Sequence, residues 1–93
     1  MTSQLRAALR GQANGLSPVV QLGKSGVTEQ VEESFRKVLE ARELIKLRVL
    51  ETCPVGVRDA VEQLAASAGA EVVSVVGRTG VVYKYNPELH KKK

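Results

Sequence analysis

The sequence predicts one α/β domain: an N-terminal helix followed by βαβαββ, with a four-stranded mixed sheet packed with helices. Three observations predict it. Two segments with apolar residues at helical spacing, 28–42 and 54–68, each lie between short apolar runs of strand length, the pattern of β-α-β units. The last two runs, 71–76 and 81–85, are joined by Gly77-Arg-Thr-Gly80, which reads as a hairpin and adds antiparallel pairing. The 93 residues suffice for one modest core, and no repeat or linker divides them.

Taken in order, residues 3–14 read as a helix with Ser3 as N-cap and Leu5, Ala8, Leu9 and Ala13 as its apolar stripe. Asn14-Gly15 ends it, and Arg6 and Arg10 lie one turn apart on the adjoining face. Residues 18–22 form the first strand, with Pro18 at its start, where a missing N–H is tolerated. The helix from Thr28 to Arg42 buries Val27, Val31, Phe35, Val38 and Leu39; its charged residues, including the i,i+4 pair Glu33–Lys37, face water. In residues 44–50 Ile45, Leu47 and Val49 point one way and Lys46 and Arg48 the other, giving a half-buried strand with a basic outer face. The next helix is expected to open at Pro54, capped by Thr52 or Cys53, and to stop at Gly69. The two β-α-β units imply parallel pairing, which the final hairpin makes mixed. Residues 1–87 are expected to form the domain and 88–93 a basic, disordered tail.

No apolar run approaches membrane-spanning length, and the N-terminus lacks a signal-peptide core. The lone Cys53 excludes an internal disulfide and fits a reducing compartment, so the cytoplasm is expected, or an organelle interior if a targeting segment has been removed. A monomer is expected. The net charge of +4 is unevenly spread: +3 over residues 1–26, −3 over 27–71 and +4 over 72–93. If the fold joins the two ends, one face is basic, the pattern of a nucleic-acid binder. Charge alone leaves a merely solubilising surface equally open.

Catalytic and metal-binding chemistry finds little to work with. The single histidine, His90, lies in the expected tail, no second cysteine accompanies Cys53, and no pair of acids is set apart for proton transfer. No enzyme activity and no cofactor is therefore expected. Gly23-Lys-Ser departs from a P-loop because Pro18 stands where its first glycine belongs. What remains is Gly23, Lys24, Ser25 and Gly26 between a strand and a helix. Backbone N–H groups there, the positive end of the helix dipole and the Lys24 charge together suit a phosphate. The turn at Gly77–Gly80 needs no function. Tyr83 and Tyr85 share a strand face and could stack on bases, although at least one is expected in the core; Lys84, opposite them, is expected to join Lys46 and Arg48.

Three blocks, Pro18-Val-Val-Gln-Leu-Gly-Lys-Ser-Gly-Val-Thr, Glu43-Leu-Ile-Lys-Leu-Arg-Val and Val76-Gly-Arg-Thr-Gly-Val-Val-Tyr-Lys, occur here in this order. Through them, from Leu5 to Tyr85, the chain resembles the CRM domain (chloroplast RNA splicing and ribosome maturation) in its stand-alone bacterial YhbY form. The resemblance implies a fold similar to the C-terminal domain of translation initiation factor three, and RNA as partner. Structured ribosomal RNA, or a precursor of the large subunit, is the form it implies for a single-domain protein. It also implies that the GxxG loop falls on Gly23–Gly26 and that Lys46, Arg48, Arg78 and Lys84 are basic positions of the family pattern. Gly80 departs from that pattern, where a larger apolar residue is usual. The expected RNA-binding set is then Gly23, Lys24, Ser25, Gly26, Arg6, Arg10, Lys46, Arg48, Arg78 and Lys84, with neither a membrane nor a small-molecule substrate. The alternative from another class is an adaptor that docks on a ribosomal protein or assembly factor through the acidic helix 28–42.

Overall fold

A computed structural model describes residues 2–90. The elements are α1 (Ser3–Ala13), β1 (Val20–Leu22), α2 (Glu29–Arg42), β2 (Leu44–Val49), α3 (Val57–Ala68), β3 (Glu71–Val76) and β4 (Thr79–Tyr83), followed by a short 3-10 turn at Pro87–His90. Among the described residues, no helix is long and apolar enough to cross a membrane.

The sheet order is β1-β2-β4-β3. β1 and β2 run parallel, as the first β-α-β unit requires, and β4 is antiparallel to both β2 and β3. The second unit differs from expectation: β2 and β3 point the same way but do not pair, because β4 inserts between them. Composition explains the insertion. Gly80, Val81 and Val82 are all buried, so β4 has apolar or side-chain-free positions towards both faces and belongs in the centre. The three-residue β1 and the bulged β3, irregular between Val72 and Ser74, take the edges.

The two faces of the sheet are covered unequally. On one, Phe35 and Leu39 of α2 and Ala60, Val61, Leu64, Ala65 and Ala68 of α3 pack on Leu22, Ile45, Leu47, Val49 and Val82. Phe35, Leu22, Leu47, Val61, Leu64 and Val82 are wholly excluded from solvent. On the other face α1 alone supplies Leu9 and Ala13, which meet Val73 and Val81 with Leu16, Leu44 and Tyr83 at the margin. Leu5 and Ala8, expected in the stripe of α1, are exposed, because that helix crosses only part of the sheet.

Local details also differ from expectation. The cap of α1 is Thr2, whose hydroxyl accepts the Leu5 N–H at 3.1 Å, one residue before the expected Ser3. α3 begins at Val57 behind Gly56, not at Pro54, because Pro54 is held against Gly26: a Cβ on that glycine would lie 3.2 Å from Pro54 Cγ. The β3–β4 turn is two residues long, Gly77 and Arg78, with Gly77 at φ +59°. Gly80 is therefore in the strand and not in the turn, and it faces α3. Just ahead of the tail expected from Glu88, Asn86 is anchored to α2 and its C-cap, and Pro87–His90 form the 3-10 turn. The Asn86 N–H donates to Glu43 Oε2 at 2.8 Å and its side-chain amide donates to the Glu40 carbonyl at 2.7 Å. Lys91, Lys92 and Lys93 lie outside the described residues.

Candidate nucleic-acid interface

The carboxyl ends of β1 and β2 and the β3–β4 turn meet at one end of the sheet. The Leu50 N–H donates to the Leu22 carbonyl and the Val49 N–H to the Arg78 carbonyl, both at 2.8 Å. These bonds knit three loops together: Gly23–Gly26, the segment after Val49, and the Gly77-Arg78 turn. Residues more than fifty positions apart in the sequence thus share one edge of the molecule.

In the first loop the Gly26 N–H donates back to the Gly23 carbonyl at 2.9 Å, closing a tight turn. Gly26 is buried at φ +67° under Pro54, a conformation and a clearance that both favour glycine. Lys24 and Ser25 are pushed outward and exposed. The contribution expected from the helix N-terminus is reduced. Val27 and Thr28 separate the loop from α2, the Thr28 hydroxyl caps the helix by accepting the Val31 N–H at 3.2 Å, and Glu29 and Glu32 occupy the first turn. Those carboxylates already answer the helix dipole. An anion here would be held by the Lys24 ammonium, the Ser25 hydroxyl and the outward backbone of the turn.

The sheet face beside this loop is the one that α1 half covers. Strand register sets Gln21, Arg48, Thr79 and Val76 in one row across all four strands, and Lys46, Val81 and Ser74 in the next. Even-numbered side chains of β2 point to this face because Ile45, Leu47 and Val49 are buried on the other. Val76 is 74% exposed, so the first row is open to solvent. Arg10, reaching from α1, and Lys46 border a groove of about 290 Å³ between that helix and the bare sheet. Arg78 lies at the sheet end, with its Nε 3.8 Å from Glu51 Oε1 in an exposed ion pair.

Two of the expected basic residues are not with this group. Lys84 follows Tyr83 on β4 and so faces α3, where its Nζ donates to the Ala68 carbonyl at 2.7 Å and closes the end of that helix. It is separated by the sheet itself from Lys46 and Arg48. Arg6 lines a different depression, along the edge of β3 with Arg58 and Glu62; Arg10 and Ser74 border both. Tyr83 is half-buried in the α1 cluster at the far end of the sheet. Burial pushes its hydroxyl above the usual 10.0, with Glu43, Tyr85 and Glu71 adding to the rise. Ser74, Val76 and Asn14, none of them in the expected RNA-binding set, line the groove. The bulge in β3 carries Val73 and Ser74 out of simple alternation, so no periodic signal marked them.

The CRS1 / YhbY (CRM) domain family matches residues 1–84. The chain belongs to this family. It is 36% identical over 88 residues to the Bacillus subtilis protein named "Probable RNA-binding protein YqeI", covering 95% of this chain and 92% of that one. It is 35% identical to "Probable RNA-binding protein MJ0652" of Methanocaldococcus jannaschii, covering 90% of this chain and 63% of that protein. The solution structure of hypothetical protein SAV1595 from Staphylococcus aureus superposes with a TM-score of 0.79 at 31% identity, over 92% of this chain and 90% of the other. The CRM fold expected from the sequence, a helix and a four-stranded mixed sheet packed with helices, is the fold observed.

Proposed function

We propose that this CRM protein is an RNA-binding module, not an enzyme, and that its RNA is structured ribosomal RNA bound during assembly of the large subunit. What carries the reading is convergence. Lys24, Arg48 and Arg78 at the sheet end and Lys46 and Arg10 beside them come from four separate stretches of chain, yet border one continuous, half-bare surface. Five cations along such a surface suit a phosphate backbone, which supplies most of the affinity in RNA complexes. The names of its relatives support RNA as the ligand class. The absence of aromatic side chains from the open row and the row beside it favours recognition of shape and backbone over stacking of successive bases. The family resemblance supports large-subunit precursors as the source of that RNA.

The test is crosslinking in cells followed by sequencing of the bound RNA, with Lys24→Glu in parallel. The expected result is enrichment of one region of large-subunit ribosomal RNA that the variant loses, with an unchanged melting temperature because Lys24 is exposed. Enrichment of unrelated RNAs would discard the ribosomal assignment. Enrichment unaltered in the variant would remove the loop from the site. Association with ribosomal particles that survives nuclease and is lost on reversing the charges of α2 would replace RNA binding with protein docking.

A further inference from the structure

We propose that the groove between α1 and the bare half of the sheet is a pocket for one unpaired nucleotide, so that the protein selects RNA stems with an extruded base. The inference rests on the RNA-binding reading and adds a specificity element to it. The groove encloses about 290 Å³, at the small end for a ligand site, which suits a single base and not an extended ligand. Its lining is divided by chemistry. Val76 offers exposed apolar surface for the face of a base, over a floor where the buried Ala13 and Val81 end the α1 cluster. Asn14, Ser74 and Thr79 offer an amide and two hydroxyls, able to donate and to accept, for its edges.

Arg10 and Lys46 stand at the same groove, placed for the phosphates on either side of an extruded nucleotide. Among the described residues, none of the side chains of Arg10, Asn14, Lys46, Ser74 and Thr79 has a hydrogen-bond or ion-pair partner. The Asn14 backbone N–H is already spent on the last turn of α1, which fixes the residue while its side chain stays unengaged. Five uncommitted polar side chains around a partly apolar hollow are what single-base readout needs: a hydrophobic slot with a few converging donors and acceptors. Surface recognition of phosphates alone needs neither the slot nor the neutral polar groups.

The experiment compares two RNA hairpins of identical stem, one with a single-nucleotide bulge, by fluorescence anisotropy. The expected result is tighter binding of the bulged stem by about tenfold, the value of one or two net hydrogen bonds. The double substitution Asn14→Ala and Thr79→Val should remove that preference and leave affinity for the paired stem unchanged. Both sites are at least partly exposed, and a thermal melt confirms that the variant folds. Equal affinity of the wild-type protein for both stems would overturn the pocket while leaving RNA binding intact. A preference that persists in the variant would also overturn it, since the bulge would then be read elsewhere. Binding to neither stem would remove the RNA reading and the pocket with it. Adenosine monophosphate is the remaining arm: affinity equal to that for the bulged stem would assign the groove to free nucleotides and overturn the RNA proposal.

Discussion

The two faces of one sheet have opposite characters, and the same four strands make both. The face under α2 and α3 is closed: Leu22, Leu47 and Val82 have no solvent exposure, and α3 approaches β4 so closely that a Cβ on Gly80 would lie 2.5 Å from Val61 Cγ2. The face under α1 is half open, with Lys46, Arg48, Thr79 and Val76 beyond the end of its small cluster. Stability is concentrated on the first face, which leaves the second free to carry uncompensated charge. Strand alternation makes that division possible, because each residue's neighbours in sequence serve the opposite side.

The largest expected effect breaks the closed face. Phe35→Ala removes the largest fully buried side chain and should cost about 3–5 kcal/mol in chemical denaturation. Next comes Gly80→Ala, which forces a methyl group into Val61 and should cost about 1–3 kcal/mol. Adding Val61→Ala to Gly80→Ala should recover part of that loss, and a purely additive double variant would show that the contact is not the cause. The open face should respond in the opposite sense. Lys46→Glu with Arg48→Glu should shift stability by no more than about 0.5 kcal/mol, while lowering RNA affinity and reducing the slope of log K against log salt by about two. An unchanged slope would move the phosphate contacts off this face.

The smallest effect concerns the margin between the faces. Tyr83 has its pKa raised in the folded protein, chiefly by burial. As pH climbs, the unfolded chain ionises first, so this contribution is fully present below the usual 10.0 and is lost as pH rises through the folded value. Tyr83→Phe should therefore flatten the alkaline fall in the denaturation midpoint without changing it near neutrality. An identical alkaline profile in the variant would place the titration elsewhere.

Much of this molecule was legible before its structure. β3 falls on the predicted residues, and Gly69 ends α3 at φ +67° as predicted. The alternation of residues 44–50 correctly separated Ile45, Leu47 and Val49 from Lys46 and Arg48. The errors have a common source. Pro54 carries a helix-start signal, but packing on Gly26 overrides it. Gly80 looks like part of a turn, yet its small size serves the contact with Val61, a residue nineteen positions away. Alternation sets Lys84 opposite Tyr83, but it is Tyr83 that shares the α1 side with Lys46 and Arg48, so Lys84 turns towards the Ala68 carbonyl.

The sequence by itself determined the order of the elements, the faces that β2 and α3 bury and the family resemblance, because helix and strand periods and short motifs are written in residues close together in the chain. Only the tertiary structure decided the strand order, the insertion of β4 between β2 and β3, and which cations share a surface. Those depend on contacts between distant segments, where burial, clearance at single glycines and the extent of sheet left uncovered by α1 outweigh any local preference.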